Sequence, residues 1–208
     1  MAKKQQYSLS PSEQIVLHGD TFSTTNCVNR ILLPSGQKVS VKRLAVEALA
    51  YGFLKSHALG TIELQVHDEN SVIVMPRART LPWPEFCFER EIHDIAGRLV
   101  ARRRNTVLGT VFDWLETETF SGWHAAVVYV WQGLQERGLV TLKHKGLNRL
   151  VPRCAYTEGI KPVLDAWPAD MVKQDLEHCK SEYKELLRPV KRQADEAMET
   201  LTEYIDLG

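Results

Sequence analysis

No stretch of the 208-residue sequence approaches the roughly 18 to 20 consecutive apolar positions that a membrane-spanning helix requires. The opening residues, Met1-Ala2-Lys3-Lys4-Gln5-Gln6, carry positive charge with no apolar segment behind them, which argues against a secretory signal and for a cytoplasmic chain. Cysteine is sparse and scattered. Cys27, Cys87, Cys154 and Cys179 form no C-x-x-C pair and read as reduced, structural thiols. Net charge is absent as well, with 26 Lys+Arg against 26 Asp+Glu, which excludes a polycation that attracts nucleic acid in bulk and an acidic solubilising tail. The common catalytic signatures are missing: there is no GxxxxGK[ST] phosphate loop, no GxGxxG, no GxSxG elbow and no HExxH. The expectation is a protein that is not an enzyme and takes no cofactor and no metal.

A composition of 44% hydrophobic and 25% charged residues is that of a globular domain with ample apolar material for a core. Ser10-Pro11-Ser12-Glu13 has the form of a helix start, with Pro at the first position and Glu13 placed to reach back to the cap. Arg30-Ile31-Leu32-Leu33 before Pro34-Ser35-Gly36 reads as a strand entering a turn. From Val41 to Leu59 the spacing of Leu44, Ala48, Tyr51 and Leu54 predicts a helix, ended by Gly60. Alternation over 61–66 and 72–74 about a turn at 68–70 predicts a β-hairpin. Further helices are predicted from about Glu85 to Asn105, over Val107–Thr117 and over Trp123–Arg137, the last stopped by Gly138. A second hairpin follows, with strands at Leu139–Leu142 and Arg149–Val151. Asp170 then starts a helix that Pro189 breaks or kinks, ahead of a final amphipathic helix bearing Val190, Ala194, Ala197, Leu201 and Ile205.

The expected architecture is mainly α. It is a single domain over 1–208 with two projecting hairpins, the unit helix, Gly, hairpin occurring once within 8–80 and once within 84–156. An acidic helical pair over 157–208 packs on the core.

The zero net charge conceals a partition. Residues 1–97 balance at 10 basic and 10 acidic side chains, residues 98–153 hold 9 against 4, and residues 154–208 hold 7 against 12. Within the basic segment, Arg102, Arg103 and Arg104 close a helix, while Lys143, Lys145, Arg149 and Arg153, with His144, surround the second hairpin. Such groups offer point charges and forked donors to phosphate oxygens. The same residues also fit a solvated turn and a dipole-complementing helix end. Glu91, His93 and Asp94 fall within one helical turn, which suits a solvated face better than a metal site. His178 and Cys179 point about 100° apart and cannot easily serve one ligand. Trp114 and Trp131 sit on apolar helix faces as core. Trp83 and Trp123 stand at element ends, where an indole either covers the core edge or meets a bilayer interface or a base.

The opening Leu9–Leu17, the helix ending at Gly60 before Thr61-Ile62-Glu63-Leu64, and Leu134-Gln-Glu-Arg-Gly138-Leu-Val-Thr before a basic hairpin together resemble the Golgi phosphoprotein 3 family over about residues 8–156. The resemblance implies a helical domain that binds phosphatidylinositol 4-phosphate in a basic pocket, inserts a hairpin into the membrane and acts as an adaptor for protein clients. The family's pocket arginines fall near Leu49, His124 and Val127 here, so only the hairpin carries over. Lys143, Lys145 and Arg149 become expected phosphate contacts, with His124 nearby, and Leu142, Leu147, Leu150 and Trp123 expected membrane contacts. The functional expectation is thus a non-catalytic, peripheral binder of anionic membrane lipid.

Two other classes compete. In a winged-helix nucleic-acid binder, Val107–Thr117 and Trp123–Arg137 would be the paired helices and 143–149 the wing. A recognition helix, however, wants Arg, Lys, Asn or Gln along one face, and Trp123–Glu136 offers no cation. A protein-interaction domain would instead dock or dimerise through Val190–Ile205.

Overall fold

A computed structural model describes residues 8–24, 29–68, 71–77, 80–116, 121–143 and 151–206, with the side chains of residues 204–206 excepted. The described residues form α1 (Pro11–Leu17), α2 (Gly19–Phe22), β1 (Arg30–Leu32), β2 (Lys38–Ser40), α3 (Val41–Ala58), β3 (Ile62–Asp68), β4 (Ser71–Pro76), α4 (Phe88–Val100), α5 (Val107–Leu115), α6 (Gly122–Glu136), β5 (Val140–Lys143), β6 (Arg153–Tyr156), α7 (Lys161–Ala166), α8 (Ala169–Glu182) and α9 (Lys184–Asp206). The protein is mainly α with small hairpins. Among the described residues there are three of these rather than two, because Lys38–Ser40 returns against Arg30–Leu32 after a turn at Gly36, whose φ is +88°.

Two helices make the centre. On α3 eleven residues are buried and on α6 ten, so both present apolar surface nearly all round, as a helix enclosed by others must. α9 packs on α3, α5 and α6, with Val190, Ala194, Ala197 and Met198 wholly buried. The apolar face of the last helix therefore closes the core of its own chain. α4 lies outside, with Phe88, Ile92, Ile95 and Leu99 turned inward.

The two helix, Gly, hairpin units end by the same device. After α3, Gly60 has φ +66° and the Thr61 N–H donates to the Ser56 carbonyl at 2.9 Å. After α6, Gly138 has φ +70° and the Leu139 N–H donates to the Leu134 carbonyl at 3.0 Å. In each, the six-residue hydrogen bond of the Schellman motif satisfies a terminal carbonyl and needs a residue free to take left-handed φ.

Several boundaries differ from those the sequence predicts. α4 begins at Phe88 and stops at Val100, because Asn105 is held to β4: its side-chain amide donates to the Val74 carbonyl and its own carbonyl accepts from the Val74 N–H. Pro189 lies inside α9 and does not interrupt it. The break falls earlier, at Tyr183, between α8 and α9. The strand that pairs with β5 is Arg153–Tyr156; of the strand expected at Arg149–Val151, residues 149 and 150 lie outside the described residues. In that register Cys154 turns inward and the Tyr156 hydroxyl donates to the Leu17 carbonyl at 3.0 Å, anchoring the strand to α1.

Helix α6 comes close enough to other backbones that two of its positions admit no side chain. A Cβ at Gly122 would stand 2.6 Å from the Met198 carbonyl oxygen, and at Gly133 a Cβ would overlap the Phe86 carbonyl. In exposed Gly97 of α4 the nearest atom would be 3.9 Å away. Gly122→Ala is expected to lower the unfolding free energy by about 1–3 kcal/mol through forced separation of α6 and α9. Gly97→Ala should leave it unchanged or raise it by up to ~1 kcal/mol through helix propensity. Urea denaturation midpoints of the two variants test the difference.

Candidate functional site

The basic hairpin is the site the sequence singles out. In the β5–β6 register Lys143 stands directly opposite Arg153, both exposed, as the last described pair of the ladder. Among the described residues no carboxylate forms an ion pair with either. Like charges directly opposite on an antiparallel ladder destabilise it, with side chains about 5 Å apart at the Cβ atoms. Lys145, Leu147, Arg149 and Leu150, together with His144, lie outside the described residues.

Other expected members of the site are placed elsewhere. Leu142 is half-buried and packs on the core, lining a small depression with Gln132, Gln135 and Glu136. Trp123, expected at a membrane interface, is only 7% exposed. Its indole N–H donates to Asp195 at 3.0 Å and Lys42 lies 4.9 Å over its ring, so the ring seals the α6–α9 contact. His124 is half-buried against Ser121, and burial lowers its pKa, which disfavours the cation a phosphate would want.

Arg102, Arg103 and Arg104 are exposed at the turn after α4, with Arg103 in left-handed conformation at φ +54°. They line a depression of about 620 Å³ with Phe112, Asp113 and Thr200. This corner is at the other end of α4 from the α6–β5 junction, since Phe86, just ahead of α4, packs on Gly133 near the end of α6. The 13-residue α4 alone separates the two by about 20 Å. The basic segment of the sequence is thus two separate loci in the fold.

The other clusters resolve into structural contacts. Glu91 accepts from the Tyr129 hydroxyl at 2.9 Å, whereas His93 turns to the Arg77 carbonyl at 2.9 Å. His178 is exposed while Cys179 is buried. Among the described residues no three His, Cys, Asp or Glu side chains converge to hold a metal ion. Cys87, Cys154 and Cys179 are unpaired and buried, and burial pushes the Cys154 and Cys179 thiols up to about 12 and about 11. Cys27 lies outside the described residues.

The strongest electrostatic feature was not anticipated from the sequence. Glu13 and Glu89 are 1% and 0% exposed, at the meeting of α1, α4 and α6. Glu13 accepts from the Ser10 N–H at 2.8 Å, as its position after the cap predicts, and from the Arg137 guanidinium. Arg137 also donates to the Ser8 carbonyl at 2.9 Å. Glu89 accepts from the Ser12 N–H at 2.7 Å and from its hydroxyl at 3.1 Å. Burial raises both acids, Glu13 to about 7 in spite of Arg137. The cap was legible locally, but nothing near Glu89 in sequence signals that it serves a helix end 77 residues away. Being sealed, the two carboxylates position helices and have no access to a substrate.

No family model, curated protein or solved structure matches the chain. Leu49 and Val127, where the family resemblance would place pocket arginines, are core residues, each 1% exposed.

The buried network has a pH signature. Because Glu13 titrates higher folded than its ordinary 4.5, its contribution to stability is greatest below that value and declines as pH rises toward about 7. Arg137→Met should cost about 3–5 kcal/mol at pH near 8, where the Glu13 charge is left without its cation. The loss should be smaller at pH near 5, where the carboxyl is neutral, and the double variant Glu13→Gln/Arg137→Met should recover part of it. Urea titrations at the two pH values provide the check.

Proposed function

We propose that the protein is a non-catalytic domain that docks on an anionic phospholipid surface through the β5–β6 hairpin. The observation that carries this reading is the opposed pair Lys143 and Arg153, two cations held face to face without a described carboxylate between them. The sequence between them adds Lys145 and Arg149 and no acidic residue over 144–150. An anionic surface would relieve the repulsion, and juxtamembrane cations each contribute about 1 kcal/mol at such a surface. With Leu142 and Trp123 turned to the core, attraction in this reading is chiefly electrostatic. No described helix is long and apolar enough to cross a membrane, which fits contact from one side.

Nucleic acid is the weaker polyanion for this fold. The helix that would enter a major groove, α6, lies at the centre of the bundle against α1, α3, α5 and α9.

Vesicle flotation with neutral phosphatidylcholine and with added phosphatidylserine tests the proposal. Binding should require the anionic lipid and weaken with salt. Lys143→Glu/Arg153→Glu should reduce partitioning by about tenfold to a hundredfold. Lys143→Glu alone separates function from folding: it sets opposite charges across the ladder, so stability should hold or rise by about 0.2–1 kcal/mol while vesicle binding falls. Equal partitioning of wild type and double variant, or equal binding to neutral vesicles, refutes the reading. Duplex DNA is the control polyanion, and its preferential binding would also refute it.

A further inference from the structure

An apolar cavity lies away from the hairpin, and none of its lining residues belongs to β5 or β6. It has a volume of about 480 Å³, within the range of small-molecule sites, and is bounded by α1, the end of α3, α8 and the Leu81–Pro84 segment. Its walls are apolar, with Leu9, Pro11, Pro82, Trp83, Trp167 and Val172 among them. Leu59 and Met171, two of the few large apolar side chains that are strongly exposed, at 46% and 40%, line it as well. Water confined among such groups finds few hydrogen-bond partners.

Each wall is fixed by a polar contact behind it. Arg90 Nε donates to the carbonyls of Trp83 and Pro84, both at 2.9 Å, which pins the segment between two prolines. The Trp167 carbonyl is joined to His18 Nε2 at 2.7 Å, and Gln14 Nε2 donates to the Leu9 carbonyl at 3.2 Å. The cavity is therefore preformed, which reduces the ordering cost of filling it.

The charged lining residues are both on the wall shared by α3 and α8. There Lys55 Nζ lies 2.9 and 2.7 Å from the two carboxylate oxygens of Asp175, and the buried Tyr51 hydroxyl donates to the same carboxylate. The pair is balanced within itself. An anionic ligand would meet Asp175, and a cationic one Lys55, each with its opposite charge already engaged. The ammonium still has a donor to offer and the carboxylate still has lone pairs.

We infer that this cavity binds a small, uncharged, mainly apolar molecule whose one hydrogen-bonding end meets the Lys55–Asp175 pair. The inference stands on the cavity alone and does not rest on the membrane reading.

Three probes of equal chain length and different head group, decanol, decanoate and decylammonium, test it by titration calorimetry with the full chain. Decanol should bind saturably at one site, and the two charged probes at least about tenfold more weakly. Met171→Trp fills the cavity from an exposed position and should abolish decanol binding with the helical circular dichroism retained. Leu59→Trp, also exposed, is the second blocking variant should the first lose its fold. Lys143→Glu/Arg153→Glu should bind decanol as wild type does, so failure of the hairpin proposal and failure of this one are told apart. Absence of saturable decanol binding, undiminished binding in a folded blocking variant, or decanoate binding as tight as decanol would overturn the inference.

Discussion

The buried junction of Glu13, Glu89 and Arg137 is the contact on which the arrangement of helices depends. Two carboxylates without solvent are tolerable only if their lone pairs are met, and the groups that meet them come from helix ends. Glu13 closes the first turn of α1 on itself and on Arg137 at the end of α6. Glu89, at the start of α4, takes the Ser12 N–H and hydroxyl. Three elements far apart in sequence are thereby placed at one point, and apolar packing alone would let them slide. Removal of any one member leaves a charge or a backbone donor buried without its partner.

From that point the rest of the bundle follows. With the start of α1 and the end of α6 tied, α6 runs inward through the core to meet α9 at Gly122, and α3 fills the space between them. The end of α6 leads at once through Gly138 into β5, so the hairpin emerges next to the junction with its base held on α1 by Tyr156. The proposed lipid-facing cations thus stand on a rigid base. Arg102–Arg104, at the far end of α4, share their charge and their stretch of sequence but not their location.

Features set by a few neighbouring residues were legible in the sequence. The Ser10–Glu13 cap, the glycine stops at 60 and 138 and the 61–74 hairpin all depend on local chemistry, and the structure has them. Longer-range features were not. Leu150-Val151 is an apolar pair that invites assignment as a strand; residue 150 lies outside the described residues, and the strand that pairs with β5 takes its register from Cys154 facing inward and a tyrosine reaching α1. Trp123 stands at a helix start, a place where an indole can face either way, and only the approach of Asp195 and Lys42 from other helices turns it inward. Arg102–Arg104 and the hairpin cations are near in charge pattern and far in space because α4 intervenes. The cavity is assembled from four separate segments, so no window of sequence contains it.

Three separate two-stranded sheets have a further consequence, for association between copies of the chain. A two-stranded sheet has an unpaired edge on either side, and such an edge is a template for another strand. β1 and β2 have only three residues each, too few to template much. The longer β3 carries an irregularity between Val66 and Asp68, and one edge of β4 is covered where Asn105 and Thr106 bond to it. On β5–β6 the protection is Lys143 beside Arg153, since a second copy laid along that edge would bring four cations together. The pair that weakens its own ladder also keeps that ladder from extending into a neighbour.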